Sequence, residues 1–190
     1  MVNRRVFLGA AGGAVVATAA GQLVAPATAH AAQGGWSRCR KCRSLYFPNV
    51  AAVSLCAGGG VHERDPFDGL VYKVLLEHEG VAEQVGWRSC AACQCLWWAG
   101  GFSGHCPGDP NGHRVNSRTV RASFAYVVEH DLSTPEHWHH RGWRSCFKCA
   151  TMFRPAYGTI PVDNGRCTAP YSSGHDATNS FDYALQVQSP

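Results

Sequence analysis

Gly-Trp-x-x-Cys-x-x-Cys occurs three times in this chain, at Gly35 to Cys42, Gly86 to Cys93 and Gly142 to Cys149. Each copy is followed by one more cysteine and one histidine: Cys56 and His62, Cys106 and His113, Cys167 and His175. Any fold must therefore accommodate three copies of one unit of three cysteines and one histidine. Two thiolates at i and i+3 on a tight turn can share a tetrahedral ion, and a distant Cys and His can complete it. From second to third cysteine the offsets are 14, 13 and 18 residues, and from that cysteine to the histidine 6, 7 and 8. Such variation excludes one rigid helix between ligands and predicts two ligand-bearing turns joined by a hairpin or loop of adjustable length. Zinc is the expected metal, because it takes sulfur and nitrogen ligands without redox or geometric demands. The expected ligand sets are Cys39, Cys42, Cys56 and His62; Cys90, Cys93, Cys106 and His113; and Cys146, Cys149, Cys167 and His175, with His105 as the alternative to His113.

Disulfides are the competing reading, since exported cysteines usually oxidise. Three cysteines per copy cannot all pair within a copy, and pairing across copies leaves the recurring histidine unexplained. Cys95 is the tenth cysteine, with no cysteine counterpart in the other copies; its expected role is that of a small buried apolar residue. Export is expected from residues 1–31, where Asn3-Arg4-Arg5-Val6-Phe7-Leu8 precedes a Gly/Ala-rich apolar run and Ala-x-Ala options near Ala29 and Ala31. This resembles a twin-arginine signal peptide. The apolar run is too short and glycine-rich for a membrane anchor, which needs about 20 strongly apolar residues, and no cysteine at the cleavage region marks a lipoprotein. The twin-arginine route is associated with proteins already folded, so thiolates could take up zinc in the cytoplasm and leave protected from oxidation.

Charge excludes one class of partner. Removing Arg4 and Arg5 with the leader leaves 15 basic and 13 acidic side chains, a formal +2. Each three-thiolate zinc site adds about one negative charge, which takes three sites to roughly minus one. No basic footprint for nucleic acid remains. The local cluster Arg38, Arg40, Lys41 and Arg43 has mostly neutral equivalents in copy two, and a solvated surface is expected for it.

The repeat extends beyond the cysteines. Apolar groups follow the second cysteine, Leu45-Tyr46-Phe47, Leu96-Trp97-Trp98 and Met152-Phe153. Alternating stretches close each copy: Leu70-x-Tyr72-x-Val74, Phe124-x-Tyr126-x-Val128 and Phe181-x-Tyr183-x-Leu185. Period-two alternation of this kind predicts half-buried strands, and Gly58-Gly59-Gly60 and Pro107-Gly108-Asp109-Pro110 predict turns. The chain therefore reads as all-β, with repeats at about 35–85, 86–141 and 142–190 in a single domain, 32–190. Recurrent Trp and Tyr need a shared core, which favours three units closed around a pseudo-threefold axis, resembling a β-trefoil, over tandem zinc ribbons.

Catalytic motifs are missing from the sequence. There is no His-Glu-x-x-His, and Gly101-Phe102-Ser103-Gly104-His105 lacks the last glycine of a nucleophile elbow. Zinc with four protein ligands has no open position for water, so structural ions and no enzyme activity are expected. Glu129-His130-Asp131 and Glu136-His137-Trp138-His139-His140, with an echo at Glu77-His78-Glu79, form a histidine-rich connection that reads as solvated linker or as a metal or pH site. A binding protein remains. One version is an adaptor that docks other secreted proteins through strand edges, loops or the segment Ala32-Gln33-Gly34-Gly35, taken as flexible. The other is a lectin-like module with Trp97, Trp98 and Tyr157 as stacking platforms and Asp65, Asp109 and Asp176 as loosely equivalent polar partners. A secreted hydrolase comes third, and neither nucleic acid nor membrane is an expected partner.

The Gly-Trp-x-x-Cys-x-x-Cys, Cys, His, Tyr repeat resembles one found in small secreted proteins of filamentous, high-GC soil bacteria, over nearly all of the chain beyond the leader. A fainter similarity, carried by size, export and the lack of catalytic motifs, is to the small adaptor subunit of secreted umbrella toxin particles. That resemblance implies a subunit linking a lectin to a repeat-built scaffold.

Overall fold

Three copies of one strand pattern follow from the three copies of the motif. The computed structural model describes residues 31–48, 54–77, 84–115 and 123–188; the expected leader, apart from Ala31, lies outside them, as do His78 and Glu79. The first repeat supplies β1 (Ala32–Arg38), β2 (Leu45–Tyr46) and β3 (Tyr72–Leu76). The second supplies β4 (Gln84–Ser89), β5 (Leu96–Trp98) and β6 (Tyr126–His130). The third supplies β7 (His139–Ser145), β8 (Met152–Phe153) and β9 (Tyr183–Val187). There is no helix among the described residues.

Closure is threefold. In each repeat the first strand pairs antiparallel with the last, β1 with β3, β4 with β6 and β7 with β9. The last strands then pair with one another half by half. The end of β3 (Leu75, Leu76) meets the start of β6 (Val127, Tyr126), the end of β6 (Glu129, His130) meets the start of β9, and the end of β9 (Gln186, Val187) meets the start of β3. A second ring lies below, where Tyr46 bridges Cys95, Trp97 bridges Thr151 and Phe153 bridges Ser44. This is one all-β domain of three interlocked repeats, the closed arrangement expected from the shared aromatics.

The Gly-Trp pair is explained by a bulge. Register slips between Gln33 and Trp36, between Gln84 and Trp87, and between His140 and Trp143. The residue that absorbs each slip is glycine at φ 94, 89 or 85° (Gly35, Gly86, Gly142), a region where a side chain would clash. The bulge aims the following Trp inward. Trp36, Trp87 and Trp143 are all fully buried.

The core takes four residues from equivalent places in each repeat: Trp36, Leu45, Tyr72 and Val74; Trp87, Leu96, Tyr126 and Val128; Trp143, Met152, Tyr183 and Leu185. Its aromatic pairs run between repeats. Trp36 meets Tyr126, Trp87 meets Tyr183 and Trp143 meets Tyr72, edge to face, with centroids 5.4, 5.3 and 5.1 Å apart, the geometry aromatic quadrupoles favour. The tyrosine hydroxyls obey the same rotation. Tyr126 donates to Gln33 and Tyr183 to Gln84 at 2.5 Å, and the Tyr72 hydroxyl, 3.2 Å from Asp68 Oδ2, pairs with His140 Nδ1 at 2.7 Å.

Two expectations change here. Residues 32–35 are not a free arm: they form the start of β1, paired with β3, and Gln33 holds Tyr126. The strands of the alternating stretches begin two residues later than the pattern suggested, leaving Phe124 and Phe181 half exposed.

Candidate metal centres

Each Cys-x-x-Cys sits on a tight turn that leaves β1, β4 or β7. The amide of the first cysteine donates to the carbonyl five residues on (Cys39 to Ser44, Cys90 to Cys95, Cys146 to Thr151), and the residue after the second cysteine donates back to the first. That residue, Arg43, Gln94 or Ala150, has φ near +60°. Its left-handed conformation turns both thiols to one side and starts the short second strand.

The remaining two ligands arrive from the long loop. Cys39, Cys42, Cys56 and His62 form one group, Cys90, Cys93, Cys106 and His113 a second, and Cys146, Cys149, Cys167 and His175 a third, with all ligand atoms in a group within 4.8 Å of one another. Every residue expected as a ligand is in place, and His113 takes the histidine position in the second group in preference to His105. First-to-third cysteine Sγ separations are 3.7, 3.7 and 3.9 Å. The second cysteine Sγ is 3.4, 3.4 and 3.3 Å from the histidine Nδ1. A tetrahedral ion with metal–sulfur bonds of about 2.3 Å and metal–nitrogen bonds of about 2.05 Å demands edges of about 3.8 and 3.6 Å, so the donor sets fit. A disulfide needs sulfurs about 2.05 Å apart. All ten cysteines are free.

Electrostatics reinforces the fit. Burial pushes the Cys42, Cys93 and Cys149 thiols up, whereas hydrogen bonds from neighbouring thiols pull Cys39, Cys90 and Cys167 down. Three thiolates so close and so buried cannot all ionise without a cation among them. The groups have the composition, spacing and burial of metal-binding sites with four protein ligands each.

An aromatic residue stacks on each ligand histidine. Tyr46 lies over His62, Trp97 over His113 and Phe153 over His175, with centroids 4.7, 5.5 and 4.6 Å apart. These stacks account for the second residue of the apolar group after each knuckle. They also remove Trp97 as a sugar platform, for it is 5 % exposed. Trp98 is occupied too, packed over Gly100 and Gly101 with Nε1 donating to the Val85 carbonyl. Tyr157 is the exposed member of the three, with Arg154 over its ring.

The basic cluster divides. Arg40 and Lys41 pair with Glu63 at the surface, but Arg38 is buried and clamps Asp65, itself wholly buried, at 2.7 Å. Arg43 reaches the same oxygen at 2.8 Å and extends to Asp163 of the third repeat. Asp65 is thus a structural ion-pair centre, and Asp109 and Asp176 cap turns at Asn111 and Thr178. Nothing in the cysteine pattern marked this network; the signal was the acid and base excess peculiar to the first repeat.

The histidine-rich connection also resolves into separate places. His139 and His140 belong to β7. His140 holds Tyr72 in the position where the other repeats carry Gln33 and Gln84, and burial, then the charges of Arg154 and Arg38, push its pKa down to about 4. His139 bridges Glu129 at 3.0 Å, and His130 stacks on Phe181 and touches Asp131. No metal cluster forms from them among the described residues. Comparison of the chain with protein-family models, curated proteins and solved structures gives no match.

Proposed function

We propose that this is a secreted, non-catalytic binding module, held together by three structural zinc ions and acting as a protein–protein adaptor in an extracellular assembly. Zinc is favoured by the donor set, since three thiolates and one imidazole in a tetrahedral frame suit it better than the harder divalent ions. Four protein ligands leave no position for a water or substrate, so the ions support the fold and carry no hydrolysis. Binding energy of such ions is on the order of 10 kcal/mol per site in small modules, which offsets the entropy of ordering loops that contain so little regular structure.

The observation that carries the adaptor reading is the surface of the third repeat. Its Cys-to-Cys loop is the longest of the three, and it presents Tyr157, Ile160 and Val162 at 56, 101 and 48 % exposure around a turn closed by the Ala156–Asp163 bridge. Large apolar groups on a narrow turn are costly in water and profitable at an interface. Export through the twin-arginine route agrees with a metal-loaded, thiolate-rich domain. Carbohydrate binding is the second reading, resting on Tyr157 with Arg154 above it.

Pull-down of the tagged protein from the producing organism's culture supernatant tests the adaptor. Secreted partners should co-purify with the wild type and be lost from a Tyr157→Ser, Ile160→Ser double variant. Recovery of the wild type only as a free monomer counts against it, and a positive glycan array would transfer the case to the lectin reading.

A further inference from the structure

The ligand histidines reach beyond their own clusters. In all three, Nδ1 faces the cysteines, which leaves Nε2 carrying the ring proton when the other nitrogen is ligated. His175 Nε2 is 2.9 Å from the carbonyl oxygen of Cys42 and 3.3 Å from Ser44 Oγ, both in the first repeat. His62 Nε2 is 3.4 Å from Cys95 Sγ, in the second. Ser44 and Cys95 are the same repeat position, two residues past the second knuckle cysteine, and Thr151 is its third occurrence. The three side chains, with Ala57, Pro107 and Thr168, line one small cavity where the repeats converge.

The third junction is different. His113 Nε2 is buried without a hydrogen-bond partner among the described residues. Thr151 Oγ1 is turned instead to Cys149 Sγ, 3.0 Å away. An N–H donor aimed at an acceptor fixes ring orientation and raises ligand basicity, and removing such a partner weakens a metal site.

We propose that Ser44 and Cys95 form a second shell shared between repeats, in which a residue of one repeat orients the ligand histidine of the repeat before it, while Thr151 holds the equivalent place but bonds Cys149 instead. Cys95 is then a positioning residue for the site of His62, although in sequence it neighbours Cys93. The shell is closed at two junctions and open at His113, so the Cys90–Cys93–Cys106–His113 site gives up its metal first. This rests on the metal reading of the three groups.

The test uses the full chain beyond the leader, loaded with cadmium-113, whose resonances are assigned to sites through couplings to each histidine ring and followed during chelator challenge. The His113 site should empty first. Cys95→Ala should speed loss at the His62 site about 10-fold and affect the His113 site, whose Cys93 the thiol also touches, clearly less, while Cys95→Ser, which copies Ser44, should stay within about twofold of wild type. Unchanged loss at the His62 site in Cys95→Ala, or acceleration at the His113 site instead, overturns the proposal. Should Cys95→Ala not fold, Cys95→Ser and the wild-type order decide: a 10-fold faster His62 site in Cys95→Ser, or a His113 site that does not empty first, overturns it equally. Three bound ions with the wrong order refute only the shared shell; fewer than three refute the metal reading beneath it.

Discussion

Acid should weaken this protein through a histidine that is no ligand. His140 Nδ1 pairs with the Tyr72 hydroxyl, in the place where Gln33 meets Tyr126 and Gln84 meets Tyr183. Its pKa falls from 6.5 to about 4 in the folded chain, because burial and the Arg154 and Arg38 charges oppose the proton. In the unfolded chain the ordinary value near 6.5 applies. The folded state therefore binds the proton less tightly, so this contribution is intact above pH 6.5 and is lost as pH falls toward 4. Between pH 7 and pH 5 the whole shift corresponds to about 2 kcal/mol, which the ring's partial exposure reduces to about 1 kcal/mol. Ligand protonation also costs stability in that range, and the variant His140→Gln separates the two effects. Glutamine restores the residue of the other repeats and cannot titrate. Urea midpoints of metal-loaded wild type and His140→Gln, at pH 7 and pH 5, should agree within about 0.5 kcal/mol at pH 7 and differ by about 1 kcal/mol in the variant's favour at pH 5. Parallel losses in the two proteins would refute the reasoning, since the pH dependence would then lie elsewhere.

Elemental analysis of purified protein should find three zinc ions per chain with no disulfide, and chelation should abolish the strand circular dichroism and red-shift the emission of the buried Trp36, Trp87 and Trp143; disulfides at full occupancy would reject the sites. Gly104→Ala should lower stability by about 2 kcal/mol or more, because its φ is +63° and a Cβ would drive into the Cys149 carbonyl; thermal melting reads the loss, and an unchanged midpoint would mean that the second and third repeats do not touch there. Asp65→Ala should cost about 2 to 3 kcal/mol by removing the buried carboxylate that Arg38 and Arg43 share, while Asp68 and Asp163 still pair with them, measured by the same melts, whereas Glu63→Ala at the surface should cost less than about 1 kcal/mol.

The three groups of three cysteines and one histidine were readable because coordination makes a narrow demand on residue type and spacing: the twelve cysteines and histidines of the pattern gather into the three expected groups of four. Strand content was readable for a similar reason, since Tyr72, Val74 and their equivalents alternate with outward residues along a pleat. What did not show were the particular contacts made across repeats. Trp36 meets Tyr126 and Arg43 meets Asp163 over separations that no local period encodes. Cys95 looked unmatched because its equivalents are Ser44 and Thr151, chemically alike only as hydrogen-bonding groups. His140 looked like part of a histidine cluster because its equivalents are glutamines, and the shared property is a hydrogen-bonding partner for the tyrosine hydroxyl at one spot, not the imidazole.

The half-by-half pairing of β3, β6 and β9 fixes how many units the protein can have. In a solenoid each unit offers a fresh face, so units can be added at either end and stability grows by increments. Here the trailing half of the third strand returns to the leading half of the first, and no face is left over. Two units would leave half-strands, a tryptophan and a histidine unmet, and a fourth would find no edge to join. Change in this architecture is therefore confined to the loops between ligands, where the third repeat is the longest, while the count of repeats stays at three.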